Sequence, residues 1–197
     1  LESIQCYVRE FLAKPNPLLG GRKGPTCPFV PASLKMDSIY LGLVQRDQVT
    51  GVESMERIVI DMLEKFKGIE PSSGPKAQYK AIVLIFPFIS LDEAPIMIDG
   101  LQKAMKPKFV AEGLMVGEFH KLNNACGLHN DNFFPLRTPH PCLAIRNMVP
   151  SDIVFLNGSE FSAETRKNMI SRYLEKFGEL SRNDEQSEVA RQLLKDL

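Results

Sequence analysis

The sequence predicts a single α+β or α/β domain, residues 1–197, with a mixed sheet of about four to five strands and flanking helices. Apolar runs of strand length alternate with helical stripes in the order α-β-α-β-α-β-β-α, which is typical of layered α/β and α+β domains. With 197 residues, of which 44% are hydrophobic, the chain is long enough for one core. The βα units predict one parallel strand pair, and the connection 120–142 predicts one antiparallel pair.

The first half of the chain supplies a helix, a loop, a strand and a second helix. An amphipathic helix is expected at 4–13, before Pro15 stops it. Pro15–Pro31 contains five prolines, so residues 15–37 are expected to form a loop that packs on the site. The β-rich run 38–46 predicts a strand. The pair Thr50 and Glu53 has capping-box spacing, and an apolar stripe then predicts a helix to Lys67.

The second half contains the buried centre of the predicted sheet. The apolar run YKAIVLIF at 79–86 predicts a central strand. A helix is expected at 91–105, strands at 113–120 and 142–148, and a helix at 162–177 that Gly178 ends. Residues 180–197 are charged and are expected to form a peripheral helix or tail.

Charge, hydropathy and cysteine usage exclude several function classes. The 24 basic and 24 acidic residues balance, which argues against nucleic-acid binding because that function needs a basic surplus. Apolar runs are shorter than the roughly 18–20 residues of a membrane span, so no membrane partner is expected. The four cysteines form no CxxC pair, which favours a reducing cytoplasm.

One window concentrates the groups that can bind metal or transfer protons near neutral pH. All three histidines, His120, His129 and His140, lie between Glu118 and Cys142. The window is rich in Asn, Gly and Pro, which indicates a loop, and loops often carry sites. A functional site is therefore expected in this segment.

Two metal sites are compatible with residue types in this window. His129, Asp131 and His140 have the donors of a two-histidine, one-carboxylate iron site, and would then be catalytic. Cys126, His129, His140 and Cys142 have the donors of a zinc site, although their spacing is unusual. The alternative is that His129 and Asp131 serve turn chemistry together with neighbouring asparagines.

A haem pocket is a further possibility. Haem needs one axial ligand, an apolar cavity and cationic partners for its propionates. His120 ends a predicted strand and is the candidate axial ligand, with Glu118 or a loop carbonyl holding its other ring nitrogen. Arg137 and Arg146 are candidate partners for carboxylates. The alternative assigns both arginines to surface ion pairs.

The Gly-rich loop before Pro31 also carries candidate binding residues. Cys27 lies near an expected helix start, where a thiol pKa is lowered, so it is a candidate thiolate ligand or nucleophile. Phe29 is expected to be buried beside it. The alternative is that Cys27 is a small buried residue that fixes the loop.

The motif order resembles a known family. Cys27-Pro28-Phe29, the strand IYLGLV, the strand YKAIVLIFPF and the segment Arg137–Arg146 occur in an order similar to that of the YqcI/YcgG-like family, over about residues 25–160. The chain is also similar to bacterial proteins with GRxGPxCPFVP and GLHN-x-x-F-x-PLR-x-P motifs.

The resemblance implies a haem-dependent oxygenase or N-hydroxylase of an amino-acid-like or guanidine-like small molecule in specialised metabolism. It would contain haem b and need an electron donor. The chain departs from the family in having no Trp and in carrying RTPHP where the family has R-x-S-R. Three alternatives stay open: a haem enzyme, a non-haem iron enzyme using His129, Asp131 and His140, and a non-enzymatic binding protein. A homo-oligomer is possible in each case.

Overall fold

The predicted α+β class is confirmed. The structure, a computed structural model, describes residues 1–178 and 185–197. A four-stranded mixed sheet has the order β1-β2-β4-β3. Its strands are β1 (Ile39–Leu43), β2 (Ala81–Ile85), β3 (Leu114–Phe119) and β4 (Cys142–Asn147). β1 and β2 are parallel, as predicted, and β2 and β4 are antiparallel.

The helices agree with the sequence in place and differ in length. They are α1 (Glu2–Cys6), extended by π-helical turns at Tyr7–Leu12, then α2 (Val30–Lys35), α3 (Val52–Gly68), α4 (Ala94–Ala111), α5 (Ala163–Phe177) and α6 (Glu185–Asp196). The end of α4 was expected at Met105. The helix instead continues through Pro107, and Gly113 at φ +69° follows it.

Two local expectations need correction. Residues 15–37 are not all loop, because α2 lies within them. The capping box expected from Thr50 and Glu53 is replaced by Ser54, whose Oγ accepts from the N–H groups of Thr50 and Gly51 at 2.9 and 3.1 Å. Ser54 is buried in the first turn, so its hydroxyl satisfies two backbone donors there.

The strand directions bring three chain connections to one edge of the sheet. Met148 donates its N–H to the Gly113 carbonyl at 3.0 Å, so the end of β4 lies beside the start of β3 and the pair is antiparallel. The carboxyl ends of β1, β2 and β3 therefore share an edge with the start of β4. We call this the carboxyl edge; residues 44–51, 86–93 and 120–141 leave or enter the sheet there.

The chain divides into two compact units. The first contains Leu1–Met105 and Val116–Arg146. One of its apolar clusters joins the N-terminal helical segment and α2 to one sheet face, through the buried residues Ile4, Val8, Val30, Val83, Ile85 and Cys142. Ile82 and Leu84 are also buried and alternate with these strand residues, so they point to the opposite face.

The second unit contains Lys106–Met115 and the described part of Asn147–Leu197. Its helix α5 starts as predicted, with Ser162 Oγ accepting from Thr165 N–H at 3.1 Å. Met169, Ile170 and Tyr173 are buried on one face of α5, as the apolar stripe indicates. Tyr173 donates its hydroxyl to the Pro150 carbonyl at 2.7 Å, which satisfies a polar atom inside this core.

The C-terminal prediction for 180–197 is only partly covered. Residues 180–184 lie outside the described residues, and α6 occupies most of the remainder. Among the described helices, none combines the length and apolar composition that a bilayer crossing requires.

Candidate functional site

The His-rich loop (residues 120–141) connects β3 to β4 at the carboxyl edge. In open sheets of this kind, ligands bind beyond the carboxyl ends of parallel strands, because loops and helix starts converge there. His120 directly follows β3, and His140 lies two residues before β4. The fold thus places the segment singled out in the sequence where a site is expected on general grounds.

His120 is the most enclosed polar group of this loop. Its side chain is 1% exposed, and Nε2 lies 2.9 Å from Oδ1 of Asp99 on α4. The partner differs from the expected Glu118 or loop carbonyl. Asp99 is 43% exposed, so the buried imidazole is connected to solvent through a carboxylate. In the neutral ring this arrangement puts the proton on Nε2 and the lone pair on Nδ1.

The second ring nitrogen of His120 is buried Nδ1, and it has no hydrogen-bond partner among the described residues. A buried acceptor without a partner costs on the order of 1–3 kcal/mol. A histidine whose other nitrogen bonds a carboxylate is an arrangement that proteins use for metal ligands and for general bases. His120 is therefore the residue of the loop best suited to receive a ligand.

The other two histidines do not join His120 in one cluster. His129 is exposed at the outer part of the loop. Nearby, Cys126 Sγ is 3.7 Å from Asp131 Oδ1, and both residues are exposed. His140 is half-buried, and its carbonyl accepts from Thr138 at 2.7 Å. Within residues 1–178 and 185–197, no three His, Cys, Asp or Glu side chains are grouped so as to hold a metal ion.

Arg137 holds the turn that follows His120. Its Nε donates to the Asn123 carbonyl at 2.9 Å, and its guanidinium lies 3.9 Å from the ring centroid of Phe134. The buried Asn123 in turn donates its N–H to the His120 carbonyl at 3.0 Å. These contacts give Arg137 a defined role in loop structure, and its expected role as a carboxylate partner stays a prediction.

Arg146 does not lie beside Arg137. The register pairs Arg146 with Ala81 at the start of β2, whereas Cys142 pairs with Ile85 at its end. Four residues of strand separate these levels by about 13 Å. Arg146 is therefore at the opposite edge of the sheet from the His-rich loop. A single cavity facing both arginines is not what this register produces.

Cys27, Cys142 and Tyr7 share the apolar cluster of the first unit. Burial raises the pKa of the Cys142 thiol to about 12, and the Thr138 hydroxyl acts in the opposite direction. Burial also raises the pKa of Tyr7, with nearby Cys142 and Cys27 adding to the shift. Cys27 is half-buried, as is Phe29, rather than fully buried. A thiol held protonated, as Cys142 is, is a poor nucleophile.

The N-terminal segment packs on the His-rich loop. Tyr7 donates its hydroxyl to the Pro135 carbonyl, and the rings of Phe11 and Phe133 are 6.0 Å apart. Farther along, Asn130 Nδ2 donates to the Leu18 carbonyl at 3.0 Å. These contacts hold the outer part of the loop from the amino-terminal side.

Gly20 lies against His129 with no room for a side chain. Its φ is +61°, and a Cβ atom there would lie 2.8 Å from the His129 carbonyl oxygen. Part of the 15–37 segment therefore contacts the loop that holds the histidines. Whether it covers a site stays a prediction.

The residues predicted for haem do not fit that group as folded. An axial histidine must present a ring nitrogen to iron, and a cofactor pocket typically encloses several hundred Å³. His120 is 1% exposed, and Arg137 is engaged with the loop backbone. The ring chemistry of His120 suits a ligand, but its burial leaves no approach for a porphyrin in this conformation.

Asp99 is the functional candidate that the sequence interpretation missed. It lies in an apolar stretch of α4, 21 positions before His120. A geometric signal existed. From Asp99, the helix rises about 20 Å before the chain reverses, and β3 runs back about 20 Å to His120. The two residues therefore end level with one another.

Comparisons with known proteins identify a family and no activity. No curated protein matches the chain, and no solved structure matches it. A family model described as a domain of unknown function, DUF6875, matches residues 1–188. Since that match covers nearly all 197 residues, the chain belongs to the DUF6875 family.

Proposed function

We propose that this protein is an enzyme that binds a small polar molecule at the carboxyl edge and uses His120 to exchange a proton with it. The observation that carries the proposal is the buried Nδ1 of His120, which has no partner in residues 1–178 and 185–197. A lone pair held inside the protein favours a ligand with an N–H or O–H donor, because such a donor removes the cost of the unpaired acceptor.

Asp99 orients the imidazole in this proposal. Its carboxylate accepts from Nε2 and directs Nδ1 away from α4, which is the role of the third group in a nucleophile–base–carboxylate arrangement. Because Asp99 is 43% exposed, a proton taken up by the ring can pass to solvent through the carboxylate. The His120 ring itself is buried, so the ligand enters only when residues of the His-rich loop move.

The haem-dependent N-hydroxylase suggested by the YqcI/YcgG resemblance stays a prediction, as does the non-haem iron enzyme. The orphan nitrogen opposite a carboxylate is also compatible with a metal ligand. An absorption spectrum after growth with added haem precursor and iron separates these cases. A Soret band would support haem, and bound iron without it would support the second case. The cytoplasmic location expected from the sparse cysteines belongs to the proposal as well.

Saturation-transfer NMR tests the proposal with a fixed panel of donors: arginine, agmatine, guanidinium, lysine and asparagine. The variant is His120→Phe, which retains a ring and lacks the acceptor. The matched control is His129→Phe, in the exposed part of the same loop. We expect at least one probe to bind wild type and His129→Phe but not His120→Phe. Equal binding by His120→Phe, or no binding by any probe, would overturn the proposal.

A further inference from the structure

The outer edge of β1 is open for pairing. β1 is the terminal strand of the sheet. The Ala81 N–H donates to the Ser38 carbonyl, and the Val44 N–H donates to the Ile85 carbonyl. In a parallel ladder, bonded residues alternate along a strand. The even-numbered residues of β1 therefore face β2, and the N–H and C=O groups of Ile39, Leu41 and Leu43 point outward.

This edge lacks the features that normally prevent edge-to-edge association. Proteins protect edge strands with charged residues, proline or bulges. The sequence of β1, IYLGL, contains no charged residue and no proline, and its register with β2 is unbroken. Tyr40 and Leu43 are 38% and 43% exposed. The edge therefore presents both backbone groups and apolar side chains.

We propose that two copies of this chain pair antiparallel through β1. A twofold axis at Leu41 would set Ile39 opposite the partner's Leu43, and Leu41 opposite the partner's Leu41. All outward groups then lie in hydrogen-bonded residue pairs, each of which exchanges two bonds. Such an interface is isologous, because the same surface serves both subunits.

Charge favours a second copy over other occupants. β1 is neutral but is preceded by exposed Asp37 and followed by exposed Arg46. With the axis at Leu41, antiparallel pairing sets Asp37 of each copy opposite the partner's Gln45, one residue from Arg46, whereas parallel pairing would bring like charges together. Opposite charges across an interface fix its register and exclude the wrong arrangement.

A shallow groove beside β1 can receive the exposed leucine. It has a volume of about 120 Å³. Its lining combines the apolar Ile39 and Leu41 with polar side chains that include Gln5, Arg9 and Asp37. Paired residues of an antiparallel ladder place their side chains on the same face. The partner's Leu43 would then lie next to Ile39, over this groove, and lose its exposure to water.

Sedimentation equilibrium of the full chain, from low to high micromolar concentration, tests the pairing. Leu43→Lys adds a charge to the edge. Leu122→Lys is the control, since Leu122 is an exposed leucine of similar accessibility, 44%, that follows β3 at the other end of the strand order. Leu43→Pro removes the leucine side chain and an outward N–H, and takes no hydrogen bond from the pairing with β2. We expect a dimer for wild type and Leu122→Lys, and a monomer for both Leu43 variants. A monomeric wild type, or dimeric Leu43 variants, would overturn the proposal.

Charge reversal tests the antiparallel arrangement. Asp37→Arg or Arg46→Asp alone should raise the Kd of the dimer by about tenfold at low salt, because each dimer loses two ion pairs. The double variant Asp37→Arg/Arg46→Asp should return the Kd to near the wild-type value. Equal Kd values for all four proteins would show that the two charges do not meet and that the proposed register is wrong.

Discussion

Lys80 and His120 are both buried, each with 1% exposure, but they differ in whether their side-chain nitrogen atoms all have partners. Lys80 Nζ donates to the carbonyls of Phe66 and Ile69, at 2.7 and 2.5 Å, and lies 4.2 Å from the Phe66 ring centroid. The ammonium thus has partners in three directions. Among the described residues, the His120 ring has Asp99 as the partner of Nε2, and its Nδ1 has none.

The difference separates a structural group from a candidate functional one. Phe66 and Ile69 lie at the end of α3, where carbonyl groups lack helical partners. Lys80 supplies donors and positive charge at the negative end of the helix dipole. Burial lowers the pKa of Lys80, and Glu70 partly opposes this. Every group around Lys80 is explained by the fold, whereas the open nitrogen of His120 is not.

The largest expected effect is the loss of Lys80. Lys80→Met retains most of the side-chain volume but removes the Nζ donor from both carbonyls. The Phe66 carbonyl keeps the Ile69 N–H at 3.3 Å, whereas the Ile69 carbonyl loses the donor that Lys80 supplies. We expect the free energy of unfolding to fall by about 2–4 kcal/mol, measured by urea denaturation. Lys76→Met is the control, because Lys76 is exposed in the preceding turn. A loss of less than about 1 kcal/mol for Lys80→Met would mean that water replaces the ammonium.

Much of the fold could be predicted because apolar periodicity determines it. The run at 79–86 is too continuous for a surface strand, and the structure buries Ile82, Val83, Leu84 and Ile85 in β2. The order of the strands in the sheet could not be predicted in the same way. β4 inserts between β2 and β3, and this choice depends on packing between distant segments, which no local pattern encodes.

The segment of the candidate site could be chosen from the sequence, but the residues that the fold brings together there could not. The His-rich window was found because His is rare in this chain. The histidines lie apart in the structure, because His129 is in the exposed part of the loop whereas His120 is buried at the end of β3. Asp99 was missed because an acidic residue in a helix normally indicates an exposed face. The pairing of Asp99 with His120 becomes evident only when the lengths of α4 and β3 are compared.

A third buried group, the Cys142 thiol, extends the comparison to the pH dependence of the free energy of unfolding. The pKa of this thiol in the folded protein, about 12, lies above the usual value of 9.0. The thiol of the unfolded chain therefore ionises first. The contribution of the protonated thiol to the free energy of unfolding is complete below pH 9 and is lost as the pH rises toward 12. At pH 10 the loss is about 1.4 kcal/mol.

Urea unfolding at pH 8 and pH 10 under reducing conditions measures this loss. Cys142→Ala should remove it from the pH dependence, and Cys126→Ala, an exposed cysteine, is the control. If Cys142→Ala and wild type lost stability in parallel over this range, the thiol would not be as enclosed as Lys80.

Asp99 supports His120 from a half-exposed position, so its replacement should be mild. In Asp99→Asn the amide oxygen can still accept from Nε2, and only the charge is lost. Exposed charge pairs contribute about 0–1 kcal/mol, and we expect a loss in that range by urea denaturation. Asp92→Asn, an exposed carboxylate before α4, is the control. A loss as large as that of Lys80→Met would make Asp99 a structural anchor.

The smallest expected change in stability comes from His120→Phe, and it tests the comparison most directly. The variant loses one hydrogen bond, but Asp99 is 43% exposed and water can replace the imidazole as its partner. It also removes Nδ1, whose unpaired burial costs on the order of 1–3 kcal/mol. These terms oppose each other, so the free energy of unfolding should change by less than about 1 kcal/mol. Unchanged stability in His120→Phe is the outcome that the proposed ligand-binding role predicts, because functional residues often add nothing to stability. Urea denaturation of wild type, His120→Phe and Lys80→Met under the same conditions measures the change. A loss of about 2–4 kcal/mol would mean that Nδ1 has a structural partner, such as a buried water, and that His120 is as closed as Lys80.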